Sequence, residues 1–140
     1  MAVSRRDLGT GVSGINLQYA PKAASTVITE ATLVTRDAAG RIIPAAAGST
    51  SVLGVALSRV ATADADYTGT TLKAYDEARE GDVFLMDIVN TTNVVPGLAM
   101  TLLNAGNINT FANIGGATQV VIKRIVSSTK VEVTLKTPTL

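Results

Sequence analysis

Three close pairs of carboxylates are the side chains of this sequence that could do chemistry. They are Asp64 with Asp66, Asp76 with Glu77, and Glu80 with Asp82. Such groups could act as acids or bases, or could bind a metal ion such as Ca²⁺ through their oxygens. The segment 63–66, Ala-Asp-Ala-Asp, lacks the further oxygens and the glycine of a calcium-binding loop. Each pair also falls in a turn or loop, so solvated carboxylates are the simpler interpretation, and a metal site or a carboxylate enzyme is a minor alternative.

Other reactive groups are missing from the composition. The sequence has no His and no Cys, so it offers no imidazole or thiolate as a nucleophile, as a base near neutral pH or as a zinc ligand. The pair Gly115-Gly116 lacks both the Lys-Ser/Thr ending of a phosphate-binding loop and the glycine spacing of a dinucleotide fold. The sequence therefore predicts a protein that is not an enzyme and that binds no cofactor and no metal.

Charge and aromatic content argue against nucleic acid as a partner. The chain has 12 basic and 11 acidic residues, a formal net charge of +1, which is too small to attract a polyanion over a distance. Aromatic residues, on which single-stranded bases stack, make up only 4% of the chain. No apolar run approaches the roughly 20 residues that span a bilayer, and no secretory signal is visible. We expect a protein that is soluble where it is made, with neither nucleic acid nor membrane as its partner.

The elements that carry these residues are almost all predicted to be β-strands. A chain of 140 residues fits one domain and can bury roughly 68% of its unfolded surface. We predict an all-β protein, a single small β-sandwich or β-barrel domain over residues 23–140, because short segments rich in Val, Ile, Thr and Leu alternate with turns. One short helical turn within 74–80 is the most helix that the pattern allows, since Gly81 would end it. The predicted strand segments are 32–36, 41–44, 52–58, 71–75, 83–89, 98–103 and the C-terminal 121–140.

Residues 1–22 are predicted to form an extended N-terminal arm. Glycines at 9, 11 and 14 separate small and polar residues up to Pro21. Within the arm, Ile15, Leu17 and Tyr19 alternate with polar or small residues, which is the period of a strand with one apolar face. The alternatives are a frayed terminus, the first strand of the protein's own sheet, or an arm that pairs with the sheet edge of another chain.

Two strand reversals are well specified. In the first, an apolar strand enters the turn Asp37-Ala38-Ala39-Gly40, where the Asp can bond its own backbone and the Gly supplies a positive φ. The second is a C-terminal hairpin with its turn at 127–130. Arg124 interrupts the apolar side of this hairpin, so we expect it to reach the rim, a carboxylate or a subunit contact. On that core side the hairpin is predicted to pair Val126 with Val131, Arg124 with Val133, and Ile122 with Leu135.

The strand 83–89 is predicted to be central, because its apolar run is nearly unbroken and both of its faces must then be covered. The domain's own core could cover both faces, or a neighbouring subunit could cover one of them.

Several patterns in this chain are similar to a known group of proteins. In 31–57 an apolar strand, an Asp-Ala-Ala-Gly-Arg turn and Ile-Ile-Pro-Ala lead into Val-Leu-Gly-Val-Ala-Leu. A Glu-Gly-Asp-Val strand entry follows at 80–83, and a Val-Pro-Gly-Leu step at 95–98. Across roughly residues 26–110 the chain resembles the small capsid decoration, or cement, proteins of tailed bacteriophages. The resemblance implies a β-rich domain on the outside of the expanded head, often as a trimer, with an N-terminal arm that helps to grip the shell.

We therefore expect a structural subunit that is made in the host cytoplasm and binds the major capsid protein on the outer capsid surface of the virion. As a homotrimer it would stabilise the shell by bridging adjacent capsomers. The alternatives are another virion protein, such as a tail, fibre-base or head-completion subunit, and an OB-like barrel that binds nucleic acid. The arm and the interrupted hairpin supply the residues expected at capsid or subunit contacts, which are Arg5, Arg6, Ile15, Leu17, Tyr19 and Arg124.

Overall fold

The computed structural model describes residues 3–6, 14–108 and 117–138, and in these residues the protein contains strands and no helix. The predicted all-β class is confirmed. The glycines at 9 and 11 and the pair at 115–116 lie outside the described residues. The strands are β1 (Ser4–Arg5), β2 (Leu17–Pro21), β3 (Leu33–Arg36), β4 (Ile42–Pro44), β5 (Gly54–Ala56), β6 (Leu72–Glu77), β7 (Val83–Ile88), β8 (Ala99–Met100), β9 (Leu102–Asn104), β10 (Asn107–Ile108), β11 (Val120–Ser127) and β12 (Lys130–Leu135).

The helical turn predicted within 74–80 is wrong, because most of that segment belongs to β6. This strand lies between β2 and β5 and pairs with both. Its backbone groups therefore bond on two sides, which an isolated helical turn could not match. Tyr75 points into a core and is only 2% exposed, while its neighbour Ala74 faces the other side.

The first sheet is a nearly closed five-stranded barrel in the described part of the chain. Its strand order is β2-β6-β5-β3-β4, and a bridge between Lys22 and Ile42 joins its two outer strands at one end. The amide of Ala23 donates to the carbonyl of Ile42 at this seam, at 3.0 Å. The barrel interior holds a cluster of apolar side chains: Ala20, Ile28, Val34, Ile42, Leu53, Ala56, Val60 and Tyr75.

A fully buried lysine stabilises the barrel seam. The Nζ of Lys22 donates to the carbonyl oxygens of Tyr67 at 2.6 Å, Gly69 at 2.7 Å and Ala23 at 3.1 Å. Since an ammonium group has three donors, these bonds satisfy it without a carboxylate. Lys22 thereby fastens the loop between β5 and β6 to the end of β2.

The predicted reversal at 37–40 is confirmed. One carboxylate oxygen of Asp37 accepts from the amides of Ala39 and Arg41, both at 2.9 Å. Gly40 has a φ of 81°, the left-handed conformation that favours glycine. The turn joins β3 to β4 in the register Thr35 with Ile43.

The second sheet has the order β8-β11-β12-β7-β10-β9, and β1 pairs with β7 beside β10. Strand β7 is interior to this sheet, as predicted. One of its faces packs on the outer wall of the barrel, where Phe84, Met86 and Ile88 contact Leu33 and Val55 in one buried cluster. On the opposite face Val83 is buried, whereas Leu85 and Asp87 are half-buried, so the described residues cover one face fully and the other in part.

The C-terminal hairpin is present, but its predicted register is wrong. Ser127 pairs with Lys130 as expected, and then two irregularities in β11 each shift the pairing by one residue. As a result Ile122 lies opposite Val133, and Arg124 lies opposite Glu132 on the outward face. Bulges of this kind insert a residue into one strand and turn the following side chains to the other face.

The described pieces of the predicted arm are strands of both layers. Strand β1 pairs with β7 of the second sheet, and β2 pairs with β6 of the barrel. Residues 1–2 and 7–13 lie outside the described part of the chain. Whether the N-terminal residues also contact another molecule stays a prediction.

Replacing Gly54 is expected to destabilise the fold. A Cβ at this position would lie 2.0 Å from the backbone oxygen of Asp76, where β5 approaches β6. We expect Gly54→Ala to lower the free energy of unfolding by about 3 kcal/mol or more, because backbone atoms cannot move away cheaply. Urea denaturation followed by circular dichroism measures this change. Gly48→Ala is the matched control, since no atom lies within 4 Å of the place that its methyl group would occupy; equal losses in the two variants would contradict the expectation.

Candidate contact surface

Arg5 bonds carboxylates of its own chain. Its Nε and Nη2 donate to the two carboxylate oxygens of Asp76 at 2.9 and 2.8 Å, and its Nη1 lies 2.7 Å from Asp82. The guanidinium also lies 5.0 Å from the ring centre of Phe84. Its side chain is only 12% exposed. Arg5 is therefore held between the two layers, and its predicted contact with a partner's acidic groups stays untested.

Arg6 and Arg124 share one buried carboxylate. The Nε of Arg6 donates to one oxygen of Glu132 at 2.9 Å, and the Nε of Arg124 donates to the other at 2.8 Å. Glu132 is 3% exposed, whereas the side chains of Arg6 and Arg124 are 39% and 60% exposed. The sequence reasoning offered a carboxylate as one destination for Arg124, and Glu132 is that carboxylate.

These ion pairs shift the pKa values of several of their members. The hydrogen bond from Arg124, helped by Arg6, lowers the pKa of Glu132 below its ordinary value although burial acts against this. Burial also opposes ionisation of Asp82, but the hydrogen bonds from Arg5 and from the Arg79 amide outweigh it and lower its pKa. The hydrogen bond with Asp76 raises the pKa of Arg5. All three groups are charged at neutral pH.

The prediction that all three carboxylate pairs are solvated loop residues is wrong for Asp76 and Glu77, because both lie in β6 and Asp76 is only 3% exposed. Asp76 and Asp82 bond Arg5. Asp66 pairs with Lys73 at 2.5 Å, and the hydrogen bond from Lys73 lowers its pKa. Asp64 accepts from the amide of Ala61 and closes a turn. In the residues that the structure describes, no group of three acidic side chains is placed to hold a metal ion.

A shallow hollow lies beside β3 and β4. Its volume is about 480 Å³, and Arg36 is the charged residue among those that line it. The guanidinium of Arg36 donates to the hydroxyl of Tyr75 at 3.2 Å. Most of the remaining lining is small or apolar, so this hollow brings together no acid and base pair.

The other three predicted contact residues lie together on the outer wall of the barrel. Ile15, Leu17 and Tyr19 are 61%, 49% and 61% exposed. Leu72, at the start of the neighbouring strand β6, is 66% exposed and extends the same apolar surface. Sequence reasoning missed Leu72, because only the pairing of Pro21 with Leu72 shows that the two strands are neighbours. We call these four residues the β2 surface.

The β2 surface adjoins a sheet edge along which the described residues place no further strand. The backbone carbonyl of Asn16 accepts from the amide of Glu77, and the backbone amide of Lys22 donates to the carbonyl of Thr71. The even-numbered residues of this segment therefore direct their backbone N–H and C=O groups towards β6. By alternation, Leu17 and Tyr19 direct their N–H and C=O groups away from the sheet. Strand β2 is an outer strand of the barrel and carries no charged side chain. The site can therefore accept an added strand, and it offers apolar side chains beside the backbone groups.

No model of a protein family matches this chain, and no curated protein matches it significantly. Among the described residues, no helix is long and apolar enough to cross a membrane.

Removal of the Arg5 guanidinium is expected to destabilise the protein strongly. Arg5→Met leaves the buried carboxylate of Asp76 without its ion-pair partner, so we expect the free energy of unfolding to fall by about 3–5 kcal/mol. Urea denaturation measures the change. Arg41→Met, at an exposed arginine in a turn, is the matched control and should change stability by less than about 0.5 kcal/mol. An equally small effect at Arg5 would show that the pair does not hold the layers.

The Glu132 cluster is expected to make stability fall in acid. Because the folded-state pKa of Glu132 lies below its ordinary value of 4.5, the cluster stabilises the protein above that pH and loses this effect as the pH falls through the folded-state pKa. Wild-type protein should lose more free energy of unfolding between pH 7 and pH 3 than Glu132→Gln, measured by urea titrations at each pH. The exposed Glu80→Gln should behave like wild type. Identical pH profiles for wild type and Glu132→Gln would contradict this.

Proposed function

We propose that this chain is a structural decoration subunit of a phage capsid. In this role it binds the outer surface of the expanded head, contacts the major capsid protein and stabilises the shell by bridging adjacent capsomers. The sequence resemblance over roughly residues 26–110 supports this proposal, and so does the all-β fold.

The observation that carries the proposal is the contrast between the β2 surface and the three arginines that were predicted to make contacts. Arg5, Arg6 and Arg124 are paired with the chain's own carboxylates. The β2 surface, in contrast, exposes apolar side chains beside backbone groups that have no partner among the described residues, on an uncharged strand. Natural proteins usually protect such an edge with charges, bulges or proline. In β2, Pro21 protects only the last position, so the uncharged edge at Leu17 and Tyr19 suits a protein that binds another surface.

Binding of this kind stabilises a shell by mass action. A ligand that binds the assembled shell and not its separated parts shifts the equilibrium towards the shell. The homotrimer implied by the resemblance would strengthen the effect, since several linked contacts act at a high effective concentration. A formal net charge of +1 also allows many copies to lie close together without strong repulsion.

The five-stranded barrel is the one observation that favours a second candidate, an OB-like nucleic-acid-binding protein. Such proteins bind a strand with basic and aromatic side chains on the barrel surface. On the β2 surface Tyr19 is the single aromatic residue, and Leu17 and Leu72 are aliphatic. The decoration role therefore has the stronger support.

Particles provide the direct test of the proposed function. Expanded heads that lack the protein should lose DNA or collapse at a lower temperature than decorated heads, and adding the purified protein should restore their resistance. Electron microscopy of the two preparations should show added density on the outer surface, over the seams between capsomers. Heads that are equally resistant with and without the protein, and that show no exterior density, would refute a decoration role. Density at the tail or vertex would favour the other virion roles.

The β2 surface should govern this binding. We expect Leu17→Lys/Tyr19→Lys to bind undecorated heads at least about tenfold more weakly than wild type, because a charged lysine disfavours apolar contact between the β2 surface and the shell. Co-sedimentation with heads measures the affinity. Leu103→Lys, at a residue that is 51% exposed on β9, is the matched control and should bind normally. These substitutions are preferable to deleting residues 1–20, since deletion also removes Arg5. Unchanged binding by the double variant would place the contact elsewhere.

A further inference from the structure

We propose that β2 is a self-pairing strand, through which two copies of this chain join in antiparallel fashion around a two-fold axis at Gln18. The inference goes beyond the proposed function, because the pairing needs no capsid and can be tested on the free protein.

The direction of the backbone groups defines how a second β2 fits. Leu17 and Tyr19 direct their N–H and C=O groups to the open edge, while Gln18 bonds inward to β6. In an antiparallel pair centred on Gln18, Leu17 of one copy lies opposite Tyr19 of the second copy. These two residues exchange both of their hydrogen bonds, and symmetry repeats the exchange on the other side of the axis.

The side chains of the strand are self-complementary in this register. The sequence of 15–21 is Ile-Asn-Leu-Gln-Tyr-Ala-Pro. On one face, Leu17 packs against Tyr19 of the second copy, and Ile15 against its Pro21, so apolar residues meet apolar residues. On the other face, the amide of Gln18 meets the same amide across the axis. No like charges meet, and aliphatic–aromatic pairs of this kind stabilise antiparallel strands.

Features at the two ends of the strand limit the proposed pairing to residues 15–21 of each copy. Pro21 has no N–H, and beyond it the open edge closes because Ala23 bonds to Ile42 of β4. A second strand must therefore turn away opposite Lys22. In the proposed register the residue at that place is Gly14, whose φ of 136° bends the chain just before β2. The bend at Gly14 of one copy thus lies opposite the closed barrel seam of the other copy, where the second strand has to turn away.

A second copy is a better occupant than an unrelated segment for two reasons. The apolar side chains at 15, 17, 19 and 21 face one another in this register, and the bend at Gly14 falls opposite the closed seam at Lys22, without any adjustment of the sequence. In addition, the other outer strands described, β4, β8 and β9, have only two or three residues each. The side of β11 beyond its pairing with β8 is a longer edge, but it carries two irregularities and the charged residues Lys123 and Arg124. Among the described edges, β2 with five residues and no irregularity in its pairing is therefore the best suited to a regular pairing.

The proposed strand pairing is a two-fold contact, which differs from the three-fold contacts within the proposed homotrimer. A two-fold contact joins the same patch on both copies, so on a shell it links one trimer to its neighbour. Because the contact consists of one short strand pair, we expect a weak dimer in solution that forms in a concentration-dependent manner.

A single cysteine tests both the contact and its register. The described residues contain no cysteine, and neither does the rest of the sequence. Across the proposed axis the Cα atoms of the two Gln18 residues lie about 4.5 Å apart, as in a non-hydrogen-bonded pair, which suits a disulfide. Gln18→Cys should form a covalent dimer under mild oxidation. Tyr19→Cys, exposed on the same strand, is the matched control. Its symmetry mates lie roughly 8 Å apart, so its cross-linking should be at least about tenfold slower.

Sedimentation equilibrium of the unmodified protein gives a second measurement that does not depend on the disulfide. Wild type should show a concentration-dependent dimer, and Leu17→Lys/Tyr19→Lys should weaken it at least about tenfold, since lysines then face each other across the axis. A mixture of this variant with Leu17→Glu/Tyr19→Glu should recover association. Equal cross-linking rates at positions 18 and 19, or a wild-type protein that remains monomeric at millimolar concentration, would overturn the proposal. If the lysine variant loses head binding but the wild type forms no dimer, the shell and not a second copy occupies β2. If the wild type forms the dimer but does not stabilise heads, the proposed function alone is refuted.

Discussion

The paired hydrogen bonds between Arg5 and Asp76 are the interaction on which the arrangement of this protein depends. Arg5 lies on β1, which pairs with the second sheet, and Asp76 lies on β6 of the barrel. The same carboxylate accepts from the backbone amide of Asn16 at 2.9 Å. One buried anion therefore joins the two layers and also fixes the start of β2. The Arg5–Asp76 ion pair therefore fixes the position of the exposed strand β2. Removing one partner of such a buried pair would be costly, because the other charge would be left buried and unpaired.

In the role we propose, different side chains hold the fold and make the contacts. Charged groups do the first: Lys22 fastens the barrel seam, and Glu132 gathers Arg6 and Arg124 on the second sheet. Uncharged groups remain for the second, on the outer wall of the barrel at Leu17 and Tyr19. Apolar contact and strand pairing act without long-range repulsion, so many copies can be placed side by side. A decoration subunit that also pairs with its neighbour would stabilise a shell through both kinds of contact.

Local signals in the sequence predicted local structure well and strand pairing poorly. The turn at 37–40 follows from Asp37 and Gly40 alone, and the central position of β7 follows from its apolar run. The register of the last hairpin does not, because two bulges that no residue type announces move Arg124 to the outer face. The helical turn within 74–80 was wrong for a similar reason. Neighbouring strands on both sides of β6 outweigh the weak helical preference of a short segment.

The sequence by itself determined the all-β class, the absence of imidazole and thiol chemistry, and the alternation that makes Ile15, Leu17 and Tyr19 one face of a strand. Only the tertiary structure decided which arginines are taken by the chain's own carboxylates, that Leu72 joins the contact surface, and which edge of the barrel is open. The physical reason is range: turn chemistry and side-chain alternation act within a few residues. Ion pairs such as Arg5 with Asp76 join residues 71 positions apart, and only the folded chain brings them together.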